Sequence, residues 1–313
     1  MFDSEKDNME KQSRKPLVTI ITNTKDRGYL IPRCIESIQR QTYTNYEHII
    51  ADGGSDNTEE VVKLYSDPHI IYIRVPQGGP IRQTKEAFNI SKGDYITFLD
   101  DDDEYLPEKI QKQVELIESL SADYGFIYGS MTFYDNETKE ELRIHKATIR
   151  GGDILAKAIS KPIVCGTPTF MFRREVFESI GGTWISGIGN PMSDWALGCK
   201  ALRQGWKVGA LDESYLRIYI NHGSARMSEG AKSPDTYKKT ILLNEYFLRE
   251  YSDVIKDNPQ SAELHFNNLC RDYLMLGDWK QSFKYYRQLF KSNHSLRNLI
   301  YFPYIVVIKL LGK

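Results

Sequence analysis

The chain has 313 residues, a formal net charge of −1 and a pI near 6.6. That length can bury a sizeable core and suits one large domain with an appendage better than two equal domains, and the charge balance gives no reason to expect nucleic acid as a partner. The four cysteines, Cys34, Cys165, Cys199 and Cys270, form neither a CxxC pair nor a disulfide-like framework, so they read as reduced thiols of a cytoplasmic protein.

Residues 1–15 are polar, mixed in charge and without the apolar core of a signal peptide; they are expected to be a disordered tail. Leu17 to Thr22 is a short β-rich run ending in a polar loop, Asn23 to Gly28, and Ile31, Ile35 and Ile38 then share one face of a predicted helix. Tyr46 to Ala51 reads as a second strand. It ends in Asp52 to Thr58, where glycines permit unusual backbone angles and Ser, Asp or Thr can cap a helix over Glu59 to Tyr65. A third strand, Ile70 to Val75, leads through Gly79 and Pro80 into a helix containing Arg82 and Lys85. Strands alternating with helices, each strand closing in a polar loop, predict an α/β fold with a mostly parallel sheet and a site at the strands' C-terminal edge.

The fourth strand, Tyr95 to Leu99, is nearly all apolar, as suits a strand covered on both faces, and it breaks into four aspartates, Asp100 to Asp103. Pro107 then opens a helix with apolar positions Ile110, Val114, Ile117 and Leu120. Four carboxylates at a sheet edge repel one another and gain nothing by packing. A hard divalent cation with oxygen ligands would neutralise them; the alternative is a solvated acidic turn.

After Ser121 the alternation loosens. Tyr124 to Tyr134 and Thr167 to Phe172 read as strands, Arg173 to Ile180 as a short helix, and Ser193, Asp194 and Trp195 open a helix that ends at Gly205. From about Ser233 long amphipathic helices take over, and Ala262 to Ser292 resembles one tetratricopeptide-type hairpin. Leu299 to Leu311 is almost wholly apolar but well short of the roughly 20 residues that span a bilayer. Eight Lys/Arg stand against two acidic residues between Arg271 and Lys313. That charge beside an apolar helix suits an anionic membrane surface; closing the core is the alternative.

Four of these motifs, in this order, resemble the family 2 glycosyltransferases with a GT-A fold. Val18 to Arg27 is similar to the family's opening strand and loop, with Asn23 where proline is usual, and Gln41 to Thr58 to its second strand and nucleotide loop. Lys92 to Asp103 is similar to the strand carrying the metal-binding DxD motif. Thr167 to Phe172, Gly181, Gly182, Asp194, Trp195 and Gly205 are similar to its acceptor half.

The resemblance covers about residues 16–225. It implies a glycosyltransferase domain over 16–232, Rossmann-like with helices flanking the sheet; the helical pattern from Ser233 makes 233–313 a C-terminal extension. It implies further that Thr24 and Asp52 contact the nucleobase, that Arg27 belongs to the donor-binding loop, and that Asp101 contacts ribose or the donor sugar. Asp102 corresponds to a ligand of Mn²⁺ or Mg²⁺, with Asp100 the second candidate, and Asp194 to the catalytic base. An arginine often stands where Arg82 does, though Lys85 could substitute. His222 stands where some relatives place a histidine near the metal or phosphates; an ordinary packed or surface histidine is the alternative.

The implied activity is inverting, metal-dependent sugar transfer from a nucleotide donor, a UDP-sugar, to a glycan or lipid-linked acceptor in surface polysaccharide synthesis, at the cytoplasmic face of a membrane. Displacing a diphosphate builds negative charge that a cation can neutralise, and an acceptor hydroxyl needs a carboxylate to take its proton. Two rivals are a nucleotidyltransferase and a catalytically inactive sugar-nucleotide-binding or scaffold subunit.

Overall fold

In the computed structural model, residues 14–76, 79–182, 193–220, 233–292 and 296–310 are described. The first half runs β1 (Val18–Thr24), α1 (Ile31–Gln39), β2 (Tyr46–Asp52), α2 (Thr58–Lys63), β3 (Ile70–Arg74), α3 (Pro80–Ile90), β4 (Tyr95–Phe98), β5 (Glu104–Tyr105) and α4 (Lys109–Ser119). It continues with β6 (Tyr124–Asp135), β7 (Glu141–His145), α5 (Leu155–Ser160), β8 (Met171–Arg173), α6 (Arg174–Ser179), α7 (Ser193–Arg203) and β9 (Lys207–Ile220). Helices α8 (Pro234–Glu250), α9 (Ser252–Asp257), α10 (Glu263–Met275), α11 (Trp279–Ser292) and α12 (Leu296–Leu310) close the chain.

The strands form one nine-stranded sheet in the order β3-β2-β1-β4-β8-β6-β9-β5, with β7 pairing β6. β1 is parallel to both β2 and β4, so the strand order reverses between them and leaves a crevice at their C-terminal ends, where α/β sheets bind ligands. β8 enters antiparallel between β4 and β6, and β6 and β9 run parallel to each other. β5, at the far end of the order, follows β4 in sequence after only Leu99 to Asp103. A link that short reaches at most about 20 Å, so the sheet must curl back on itself.

Alternate residues of each strand feed opposite faces. Ile21, Ile49, Ile96 and Phe98 pack on one side with Phe88, Phe177, Trp195, Leu243 and Phe247. Val18, Ile20, Ile50 and Leu99 pack on the other with Ile31, Cys34, Ile35, Ile110, Val114 and Ile117. The membership of Leu243 and Phe247 in the first cluster makes α8 part of the main core. A satellite cluster of Ile241, Leu269, Cys270, Leu274, Tyr285 and Ile305 joins α8, α10, α11 and α12.

One predicted strand departs from expectation. Thr167–Thr169 is a 3-10 turn and the strand begins only at Met171, because Pro168 cannot donate to a ladder. β9 is a long strand across Gly209 and the polar residues Asp212 to Ser214, where its register to β6 shifts; the interruption hides its periodicity in the sequence. Among the described residues no helix is long and apolar enough to cross a membrane.

Candidate active site

The site grows from the ends of β1, β2, β3 and β4. Register sets Thr24 beside Asp52 and Asp52 beside Arg74, so three last residues of three strands form one row. Asp52 is fully buried. One of its oxygens accepts from the Gly54 N–H at 2.7 Å, and the other accepts from the Tyr72 hydroxyl at 2.7 Å and the Arg74 guanidinium at 3.1 Å. Sequence alone does not single out Tyr72 and Arg74, although their spacing of two puts them on one face of β3.

The loops after β1 and β2 are tied together. Asp26 accepts from the Ser55 N–H at 2.6 Å, and Asp56 accepts from the Gly28 N–H at 2.9 Å. The approach is close enough that a Cβ on Gly54 would fall 2.3 Å from the Asp26 backbone nitrogen, so only glycine is accommodated there. From α3 the buried Gln83 donates to the carbonyls of Thr24 and Ala51 at 2.7 and 2.8 Å. Arg82 and Lys85, on the same helix, are exposed; Arg82 lies 3.8 Å from Glu86.

This framework turns Arg27 toward the acidic run. Its guanidinium donates to Asp101 at 2.9 Å and to Asp102 at 3.3 Å. Burial, and then the neighbouring Asp102, push the Asp101 carboxyl up to about 6, against the pull of Arg27 and Thr24. Arg33 donates to the Asp102 carbonyl at 3.2 Å, and Asp103 accepts from the Tyr219 N–H at 3.0 Å, which stitches the turn to β9. Asp100, Asp102 and Asp103 each offer a carboxylate oxygen within 4.8 Å of the others. Three hard oxygen donors so placed fit Mg²⁺ or Mn²⁺. Asp103 joins Asp100 and Asp102 there, a residue the DxD spacing does not single out.

Asp194 opens α7. One carboxylate oxygen accepts from the Trp195 N–H at 2.7 Å and the other from the Gly166 N–H. Burial raises its pKa, while those backbone donors oppose the rise. Trp195 fixes the helix: its ring N–H donates to the Ala158 carbonyl at 2.6 Å, and its indole stacks on Phe247 and His265. Gly166 begins a short turn anchored to the β4 side. Thr97 donates to the Phe170 carbonyl at 2.6 Å, Gln113 to the Thr169 carbonyl at 2.7 Å, and the Tyr105 hydroxyl to the Phe98 carbonyl. The buried Lys109 donates to Thr97 at 2.8 Å, and its pKa is driven well down by desolvation. Asp194 is thereby linked through residues 166–170 to the strand that carries the acidic run. His222 lies outside the described residues.

A curled mixed sheet with an acidic turn after its fourth strand is a fold of the GT-A class. The chain belongs to glycosyl transferase family 2, whose model matches residues 19–181. It is 25% identical over 297 residues to an uncharacterized glycosyltransferase of Haemophilus influenzae, covering 91% of this chain and 93% of that relative. It is also 25% identical over 258 residues to WcaA of Escherichia coli K12, a glycosyl transferase assigned to colanic acid biosynthesis, covering 76% of this chain and 82% of WcaA. Among solved structures it resembles S. aureus TarS 1-349 in complex with UDP-GlcNAc, with a TM-score of 0.62 and 14% identity over 88% of this chain and 91% of that one; this likeness shows the shared fold.

Proposed function

We propose that the protein is an inverting, divalent-metal-dependent glycosyltransferase that moves a hexose from a UDP-sugar to a glycan or lipid-linked acceptor in surface polysaccharide synthesis. The observation that carries this is the pairing of an oxygen-rich acidic triad, Asp100, Asp102 and Asp103, with a separate carboxylate, Asp194, tied to the same strand edge through Gly166. The colanic acid assignment of WcaA supports the polysaccharide context, and the UDP-GlcNAc of TarS supports the donor class.

In this scheme Thr24, Asp52 and Arg27 seat the nucleotide, and Asp101 meets the ribose or sugar. Asp52 already receives Tyr72, Arg74 and Gly54, so those groups fix its orientation toward a base. Asp102, with Asp100 and Asp103, would hold Mg²⁺ or Mn²⁺, which would supply positive charge to offset the negative charge developing on the departing diphosphate. Asp194 takes the proton of the acceptor hydroxyl as it attacks, and a raised pKa makes it the stronger base. One base with no second carboxylate as nucleophile gives single displacement and inversion. Arg82, Lys85 and His222 are weaker candidates for the phosphates, the first two because both lie on the exposed face of α3. The enzyme works at the cytoplasmic face of a membrane, against anionic lipid.

The test is to incubate purified protein with a panel of UDP-sugars, Mn²⁺ and a glycan acceptor, and to identify the released nucleotide. UDP release that depends on metal and is lost in Asp194→Ala supports the proposal. Release of inorganic diphosphate overturns it in favour of nucleotidyl transfer, and no release with any donor favours an inactive sugar-nucleotide-binding subunit.

A further inference from the structure

Helices α11 and α12 carry no acidic residue. On α11, Lys280, Lys284, Arg287 and Lys291 recur at steps of four, three and four, which lines them along one stripe, and all four are exposed. The residues just before each, Trp279, Phe283, Tyr286 and Phe290, form a parallel stripe rotated by about 100°. That second stripe meets α12: the Phe283 and Tyr286 rings lie 5.7 and 5.0 Å from the Phe302 ring, and Lys309 sits 5.4 Å over Trp279. The basic stripe therefore flanks the α11–α12 seam.

On α12, Phe302, Ile305 and Val306 pack inward against the satellite core, while Ile300, Tyr304 and Val307 point outward and are 63, 62 and 52% exposed. One face of the helix closes the core, the alternative weighed from its sequence, and the other is apolar and open. Trp279 and Phe283 add a further half-exposed aromatic pair beside it. Aromatic and aliphatic side chains next to cations on acid-free helices match a bilayer interface, where rings sit at headgroup level and Lys or Arg stems reach anionic phosphates.

We infer that the α11–α12 face is a docking surface for an anionic lipid bilayer, with Lys280, Lys284, Arg287 and Lys291 meeting headgroups and Ile300, Tyr304, Val307, Trp279 and Phe283 entering the interface. This deepens the membrane-face part of the proposed function by assigning it a surface, and it holds whatever donor the enzyme uses. A second copy of the chain, the other occupant an apolar face could take, is disfavoured because two such basic stripes would repel.

The full-length protein is floated with vesicles of phosphatidylcholine alone or mixed with phosphatidylglycerol, without donor or acceptor, so a failed catalytic assignment leaves the result readable. Binding to the mixed vesicles, weakened by high salt, is expected. The variant Lys280→Glu/Lys284→Glu/Arg287→Glu/Lys291→Glu should bind at least about a hundredfold more weakly, and Ile300→Ser/Tyr304→Ser/Val307→Ser about tenfold more weakly. Both variants should keep the wild-type thermal transition by circular dichroism. Equal binding to neutral vesicles, unchanged binding in the folded variants, or a wild-type dimer that the variants dissolve without any vesicle binding would each overturn the inference.

Discussion

Gly166 gives its backbone N–H to Asp194 from a left-handed conformation with φ +92°. A side chain at that position is strained by the backbone angle, and its Cβ would meet Met131 Cε and Thr169 Cγ2 at 3.0 Å. Such strain costs about 1–3 kcal/mol, and relaxing it would move the N–H away from the carboxylate. Gly166→Ala should lower the rate of sugar transfer by an order of magnitude or more while the protein remains folded. A rate that stays at the wild-type level while the melting temperature falls would leave the turn with a structural role only.

If Asp194 is the base, as proposed, the pH dependence of transfer follows from its raised pKa, whose first cause is burial. As a base it must be ionised, so kcat should fall as pH drops through a value above the ordinary carboxylate range. Stability runs the other way. The folded state holds this proton more tightly than the unfolded chain does, so ionisation costs stability as pH rises from the unfolded pKa through the folded one. Asp194→Asn should therefore abolish transfer, a loss of about 10²–10⁴-fold for a general base, yet leave stability at pH 7 within about 1 kcal/mol of wild type. A simple helix cap would show the opposite pattern, with lost stability and retained rate; melting curves beside UDP-release rates decide it.

What the sequence made legible is what depends on local pattern. The alternation of apolar strand, polar loop and amphipathic helix located β1 through β4, and the run Asp100 to Asp103 marked the edge where carboxylates gather. Groups that act across the fold stayed hidden. Arg74 and Tyr72 matter through their register with Asp52, and Gln83 through two carbonyls on β1 and β2. The turn Thr167–Thr169 reads as strand in the sequence because its β-branched threonines outweigh Pro168. Long-range pairing, not propensity, decides these positions.

Divalent ions should raise the thermal stability of the protein. Asp100, Asp102 and Asp103 repel one another within 4.8 Å, and a ligand that binds only the folded state stabilises it by about 2.7 kcal/mol at a hundred times its dissociation constant. Saturating Mn²⁺ should raise the melting temperature by several degrees, and EDTA should reverse the shift. Asp102→Asn and Asp103→Asn should each blunt it, whereas Arg82→Ala, on the exposed face of α3, should not. An identical shift in all three variants would place the ion elsewhere.

The helices beyond Ser233 should prove inseparable from the catalytic half. Phe247 of α8 is fully buried, stacks on Trp195 with ring centroids 4.3 Å apart and on His265 at 4.7 Å, and lies in the same cluster as the strands of the main sheet. His265 adds hydrogen bonds from α10 to the Ile159 carbonyl at 2.8 Å and to Asn244 at 2.9 Å. Phe247→Ala should cost about 3–5 kcal/mol, because the cavity it leaves is walled by rigid rings that cannot collapse into it. Since Trp195 directly follows Asp194, the loss should also reach catalysis, lowering kcat below what the unfolded fraction explains. Deletion of residues 233–313 removes every ring on that side of Trp195 at once and should give insoluble or unfolded protein. A soluble fragment 14–232 with a sharp thermal transition and normal UDP release would show that the sheet half folds and works alone.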